Sequence, residues 1–271
     1  MHNTQGALIV PNRLSVHSRT DCYNGLAPVG SSLRFIQLSE AKLKPKPKTR
    51  RKTVARSSPA SNGLTDLALR ACLVASDAAF NVKDFLANGS RMALLAVRDC
   101  EKELDRIESE IDEKLPVAIA DVSEPEAREL LACLRFSTEL ERIGDLLCSV
   151  GNRAHTLETK LPKEDSEQLV QMTQILQKML ERVREGFSER ELDPASQVLR
   201  ADHEVDQVHK FLFRRHLQTT DDRKLQHSID VLLMAQALQR AGDHATNLAE
   251  ELFRLIEGRS VRHPPKRRAR D

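Results

Sequence analysis

The sequence predicts an all-α protein: six long helices forming two tandem, duplicated three-helix bundles, with a disordered basic N-terminal extension. Three observations carry that expectation. Aromatic residues make up 3% of the chain, Trp is absent, and Leu, Ala, Glu, Arg and Lys dominate, a composition of long helices rather than sheets. From Leu64 onward apolar residues recur at three- and four-residue steps, the period of a helix with one buried face. Two acidic motifs also return at nearly constant spacing: Asp105 and Asp206 are 101 residues apart, Asp145 and Asp243 are 98 apart. That offset signals internal duplication of a three-helix unit, and 271 residues suffice for two small cores.

The elements follow in order. Residues 1–63 have no sustained period and contain a Lys/Pro string, Lys42 to Lys48. They bury too little apolar surface to offset ordering entropy, so they are read as a disordered extension. The first repeat spans 64–160. Its first helix starts at Leu64, uses Leu67, Ala71, Val74, Ala78, Val82 and Phe85, and stops at Asn88-Gly89-Ser90, where Gly89 suits a left-handed C-terminal position. The second runs from Arg91 to about Ile119, with Pro116 expected to shorten or kink its end. The third starts at Ser123, where Ser123-Glu124-Pro125-Glu126 reads as a capping box, and ends near Leu157.

The second repeat spans 161–258. Its first helix uses Leu169, Met172, Leu176, Met179, Val183 and Phe187. Asp193-Pro194 opens the next, which ends near Leu217. Thr219 or Thr220 is expected to cap the last helix, and Gly258 stops it. Residues 259–271 form a basic tail.

A net charge of +2 conceals a split. Residues 1–63 carry +9 and residues 259–271 carry +5, which leaves −12 for residues 64–258. An acidic body does not grip nucleic-acid phosphates but suits cations. The basic tails lack interleaved aromatics, which leaves non-specific attraction rather than selective stacking. Five scattered cysteines, Cys22, Cys72, Cys100, Cys133 and Cys148, with no C-x-x-C spacing, read as reduced thiols of a cytoplasmic protein. No apolar run reaches the ~20 residues of a membrane span, and no secretory leader pattern opens the chain.

The chemistry is concentrated in carboxylates. Glu101 precedes Asp105 by four residues, as Glu141 precedes Asp145, Asp202 precedes Asp206 and Gln239 precedes Asp243. Positions i and i+4 share one helix face, and like charges there repel by a few tenths of a kcal/mol unless a cation sits between them. In each repeat the two motifs lie on consecutive helices that should be antiparallel neighbours, so four side chains can converge. An all-oxygen donor set favours Mg²⁺, Mn²⁺ or iron over a thiolate-type zinc site. Gly144 and Gly242 stand one residue before Asp145 and Asp243. A helical Gly costs ~1 kcal/mol relative to Ala, so either ligand access or tight helix packing is implied.

At Leu140-Glu141-Arg142-Ile143-Gly144-Asp145, and at Leu238-Gln239-Arg240-Ala241-Gly242-Asp243 continuing to Glu250, the sequence resembles the PhoU family. That family's hallmark reads close to L-E-R-I-G-D-x-A-x-N-I-A-E. Glu101 to Asp105 and Asp202 to Asp206 resemble its other acidic motif. The resemblance covers residues 64–258. It implies a non-enzymatic regulator of phosphate homeostasis. Such a protein links a phosphate ABC transporter to a sensor histidine kinase, is a homodimer, and holds divalent or trivalent metal ions (Mg, Mn, Fe or Zn) on its acidic motifs. Gln239 departs from the hallmark Glu and removes one anionic ligand, so the first site is expected to bind metal better than the second. Other readings are an adaptor for a different transporter, a tail-mediated nucleic-acid binder, and a di-metal carboxylate enzyme. The last needs two Glu-x-x-His motifs, and only Asp206 to His209 comes near. His244 should point about 100° away from Asp243.

Overall fold

The computed structural model describes residues 59–157, 159–217 and 222–258, with no side-chain detail for 59–61 and 222–224. Six helices occupy almost all of this: α1 (Pro59–Asn88), α2 (Arg91–Ala118), α3 (Glu124–His155), α4 (Lys163–Glu189), α5 (Asp193–Leu217) and α6 (Asp222–Glu257). The expected disorder of residues 1–58, the basic tail, the cap at Thr219 or Thr220, and Cys22 lie outside the described residues.

Helix ends differ from expectation for local reasons. α1 begins at Pro59 rather than Leu64. A first-turn proline lacks only an N–H that would have no helical partner, and its fixed φ suits the helix. Gly89 takes φ +68°, and its N–H bonds to Phe85 O at 2.8 Å. Ser90 then caps α2, its side chain accepting from Ala93 N. Pro116 sits inside the last turn of α2, which runs on to Ala118. The Ser123 half of the expected capping box does not form, since the Ser123 side chain makes no cap bond, and Pro125 fills the first turn. At the end of α4, Arg190 is left-handed, with φ 56°, at a cost of ~1–2 kcal/mol for a residue with a Cβ. Its guanidinium lies 4.6 Å from the Phe187 ring centroid and bonds to Glu129 of α3, contacts that offset this cost.

The helices form two three-membered units. α1, α2 and α3 pack on one another, as do α4, α5 and α6. The units join through α1 against α4 and α3 against α6, so α1, α3, α6 and α4 make a central ring, with α2 and α5 each packed only on its own unit. α1 meets three neighbours, and the middle of its buried face is small, Ala68, Ala71, Cys72, Ala75, Ala78 and Ala79, with Leu64, Val82 and Leu86 buried toward its ends. Short side chains let helix axes come close. Of the expected face, Ala71, Ala78 and Val82 are buried, while Leu67 and Val74 pack only at its margin. Phe136 of α3 and Phe187 of α4, both buried, meet across the join with ring centroids 4.5 Å apart.

Polar bonds pin the same join. Glu139 accepts from His244 Nδ1 at 2.7 Å and from Asn247 Nδ2 at 2.9 Å, and Arg153 pairs with Asp230 at 2.8 Å. Within the second unit, buried Asp165 pairs with His216 Nε2 at 3.1 Å and Arg215 Nε at 3.0 Å. His216 Nδ1 meets Ser228 Oγ at 3.1 Å. This chain ties the start of α4 to the end of α5 and the start of α6. Ser228 and Asp165 are both buried, so the Ser–His–Asp order is a structural clasp. Cys72 and Cys133 are buried free thiols in the core.

Candidate metal centre

The motifs of the first repeat come level on the α2–α3 pair. Glu101 and Asp105 of α2 and Asp145 of α3 each place one carboxylate oxygen within 4.8 Å of the others. Glu101 is half-buried, and Asp105 and Asp145 are exposed. Three hard anionic donors at this spacing suit one hard cation. Glu141 stands at the edge of this group rather than inside it, hydrogen-bonded to Asp145.

The electrostatics match a site that wants a cation. Burial, then the charges of Asp145, Glu108 and Asp105, and the bond to Asp145 push the Glu141 carboxyl up to about 7. Burial, with Asp105 and Asp145, also raises Glu101. Like charges held together disfavour ionisation. Glu108 is a further acidic neighbour of Glu141 that the repeated motifs do not mark. It lies seven residues after Glu101 on α2 and so on the same face. An open groove of about 480 Å³ continues from Glu101 and Asp145 along Cys148, Ser149, Asn152 and Arg153. A larger cavity of about 800 Å³, lined in part by Phe85, Leu161 and Val170, touches none of the acidic motifs.

Gly144 explains how the two helices approach so closely. A Cβ there would lie 2.5 Å from Leu104 Cδ1 and 3.8 Å from Glu101 Cα. Of the two reasons open for this glycine, tight packing applies. Gly242 differs: its Cβ would meet Asp202 Oδ1 and Val205 Cγ1 at 3.6 Å, ordinary contact distances.

In the second repeat, Asp202 and Asp206 of α5 face Asp243 of α6. Burial comes first, then Asp243 and Asp206, in raising Asp202. Burial and then Asp206 raise Asp243, while a Gln239 hydrogen bond works the other way. Gln239 Nε2 donates to both Asp243 oxygens at 3.1 Å. Where the first repeat has a fourth carboxyl, the second has an internal donor that occupies Asp243. Lys210 lies 3.4 Å from Asp206. His244 turns away to Glu139, as its position on the helix requires, and His209 packs near Phe213 with centroids 6.1 Å apart.

The model of the PhoU domain family matches residues 69–154 and 169–252, which contain all eight motif positions. The chain belongs to the PhoU family. Among its relatives, a "phosphate-specific transport system accessory protein PhoU homolog" of Xylella fastidiosa is 30% identical over 167 residues, 60% of this chain and 70% of the relative. A protein of the same description from Zymomonas mobilis is 27% identical over 77% of this chain and 85% of its own length. The fold matches that of PhoU from Pseudomonas aeruginosa with a TM-score of 0.69 at 22% identity, covering 74% of this chain and 98% of the other. It also matches the "phosphate transport system regulatory protein PhoU" of Streptococcus pneumoniae with a TM-score of 0.67 at 20% identity, over 74% and 97%. Among the described residues of this PhoU-family chain, no helix is long and apolar enough to cross a membrane.

Proposed function

We propose that this chain is a non-enzymatic regulator of phosphate transport. It restrains phosphate uptake and the starvation response by linking a phosphate ABC transporter to a sensor histidine kinase, as a homodimer. Residues 64–160 and 161–258 are its two repeats, flanked by the basic segments 1–63 and 259–271. The observation that carries the reading is the convergence of Glu101, Asp105 and Asp145 within 4.8 Å in a PhoU-family bundle.

Glu101, Asp105 and Asp145 would hold the metal ion, with Glu141 at the margin able to join once deprotonated. Bound metal supplies charge neutralisation between helices, and no reacting group is required of it. The carboxylates come from two helices, so their shared load clamps α2 to α3 and sets the outer face that a partner reads. The second repeat, with Asp202, Asp206, Asp243 and the neutral Gln239, holds metal more weakly. Mg²⁺, Mn²⁺ and iron fit the oxygen donors better than Zn²⁺.

Metal analysis of the purified chain beside the Glu141→Ala/Asp145→Ala variant tests the site. Metal should fall in the variant, and equal content in both refutes the assignment. A deletion strain tests the pathway: derepressed alkaline phosphatase and unregulated phosphate uptake are expected, and unchanged control of both removes it.

A further inference from the structure

The groove that leaves the candidate metal centre changes sign along its length. It begins between Glu101 and Asp145 and runs past Ser149 to Asn152 and Arg153. On α2, Arg98 lies three residues before Glu101, about one turn away on the same face. On α3, Ser149 and Asn152 follow Asp145 by four and seven residues, again on one face. Arg98 donates from Nε at 2.9 Å and from Nη2 at 2.7 Å to the single Asn152 Oδ1. Asn152 Nδ2 reaches Cys148 Sγ at 3.4 Å, and Arg153 spends Nη1 on Asp230 at 2.8 Å. Carboxylates thus stand at one end and two guanidinium groups at the other. Arg98 is half-buried and pairs with no carboxylate among the described residues, which leaves three of its five N–H donors without a protein acceptor there.

The duplication supplies a comparison. At the offsets that relate the acidic motifs, Arg98, Ser149, Asn152 and Arg153 correspond to Leu199, Asn247, Glu250 and Glu251. The second repeat keeps the Asn and Glu with which the hallmark ends, and Glu251 beside them pairs with Arg135 and Arg254. The first repeat has Ser149 and Asn152 in their place. The same helix pair is therefore built with carboxylates at this position, and its packing does not require a cationic end. What the first repeat gains is a groove end that attracts anions, one turn from three carboxylates that suit a cation.

Three carboxylate oxygens fill about half of the six positions that Mg²⁺ takes, and ions of this kind complete their shell with water and phosphate oxygens. The groove lies on that side. A carboxylate ligand offers two oxygens in one plane, whereas a phosphoryl group offers three that diverge, one for the ion and two for donors on the wall. Guanidinium forks match phosphate geometry.

We propose that this groove binds a phosphoryl dianion beside the metal ion, held by Ser149, Asn152 and Arg153 with the charge of Arg98 behind them. Its source is inorganic phosphate or the terminal group of a phosphate ester. Glu101 and Asp145 repel such an anion until a cation neutralises them. Binding is therefore ordered, metal first, and by linkage phosphate tightens the metal in return. The inference rests on the metal-centre reading and names the ligand of that centre.

The test dialyses the full chain against radiolabelled inorganic phosphate with and without Mn²⁺, and measures bound Mn²⁺ in the same samples. Mn²⁺ should raise phosphate retention at least tenfold, and phosphate should tighten Mn²⁺ to a similar degree. Arg98→Gln and the isosteric Asn152→Asp should each lose at least tenfold in phosphate retention and still bind Mn²⁺. Asp145→Ala should lose both ligands. Circular dichroism shows that each variant is folded. Phosphate held equally with and without Mn²⁺, or equally by wild type and Asn152→Asp, overturns the proposal. Acetate that displaces the label as well as unlabelled phosphate does also overturns it. Unlabelled glycerol 3-phosphate separates the sources: displacement supports an ester terminus, and no displacement supports free phosphate. Mn²⁺ bound without phosphate removes this inference alone, whereas no Mn²⁺ on the wild-type chain removes the metal centre with it.

Discussion

Replacing each hallmark glycine by alanine should move stability in opposite directions. In a helix interior alanine is favoured over glycine by ~1 kcal/mol. At Gly242 the new methyl meets Asp202 Oδ1 and Val205 Cγ1 at 3.6 Å, so nothing has to move, and Gly242→Ala should stabilise by ~0.5–1 kcal/mol. At Gly144 it would lie 2.5 Å from Leu104 Cδ1. Leu104 is 2% exposed and part of the core, so relieving the overlap means repacking or parting α2 from α3. Over-packing of this kind costs ~1–3 kcal/mol, which outweighs the propensity gain and leaves Gly144→Ala destabilised by ~1 kcal/mol. Urea unfolding of both variants gives the comparison, with a separation of ~2 kcal/mol expected. If Gly144→Ala is as stable as Gly242→Ala, Leu104 relaxes freely and the close approach of α2 to α3 does not depend on the missing Cβ. A second reading comes from the same protein: parting the helices spreads Glu101 and Asp105 from Asp145, so Gly144→Ala should also lower metal content, and Gly242→Ala should not.

Three further outcomes follow from the site and the core. In metal-free protein the Glu141 carboxyl stands raised to about 7 from an ordinary value of 4.5. The folded state then binds more protons than the unfolded one between those values, so Glu141 makes stability fall as pH rises from about 4.5 to 7; Glu141→Gln should flatten that slope in urea titrations, and an unchanged slope refutes the assignment. Gln239→Glu should raise the metal content of the second repeat, measured in protein whose first site is disabled by Asp145→Ala, and no gain would show that the missing charge is not what limits that site. Phe136→Ala should destabilise by ~3–5 kcal/mol, because the ring is fully buried and packs at a tilt against Phe187 across the two units; a loss below ~1 kcal/mol would mean that this contact does not hold the units together.

How legible was the molecule in its sequence? The six helices were, because a stripe of apolar residues every three or four positions needs only local geometry to be read. Their junctions were legible where one residue type decides the backbone, as at Gly89, and not where a cap depends on side-chain rotamers, as at Ser123. Arg190 gave no signal at all: its left-handed backbone is tolerated through Phe187 and Glu129, the latter 61 residues away. The eight motif positions share a four-residue spacing that returns in the second repeat, whereas Glu108, also four residues before an Asp, corresponds at that offset to His209 and so stands outside the repeated pattern.

The chain order of residues alone determined the duplication, the helical class, and the inequality of the two halves at Gln239, since each is a property of identity and interval. Tertiary structure alone decided which carboxylates meet. Glu101, Asp105 and Asp145 converge within 4.8 Å and Glu141 falls outside that group, an outcome of how α2 and α3 pack, with Leu104 seated beside Gly144 where they meet. It also decided that one glycine is there for packing while its counterpart is not. A helix carries its period within itself, but the distance to its neighbour is a property of both surfaces.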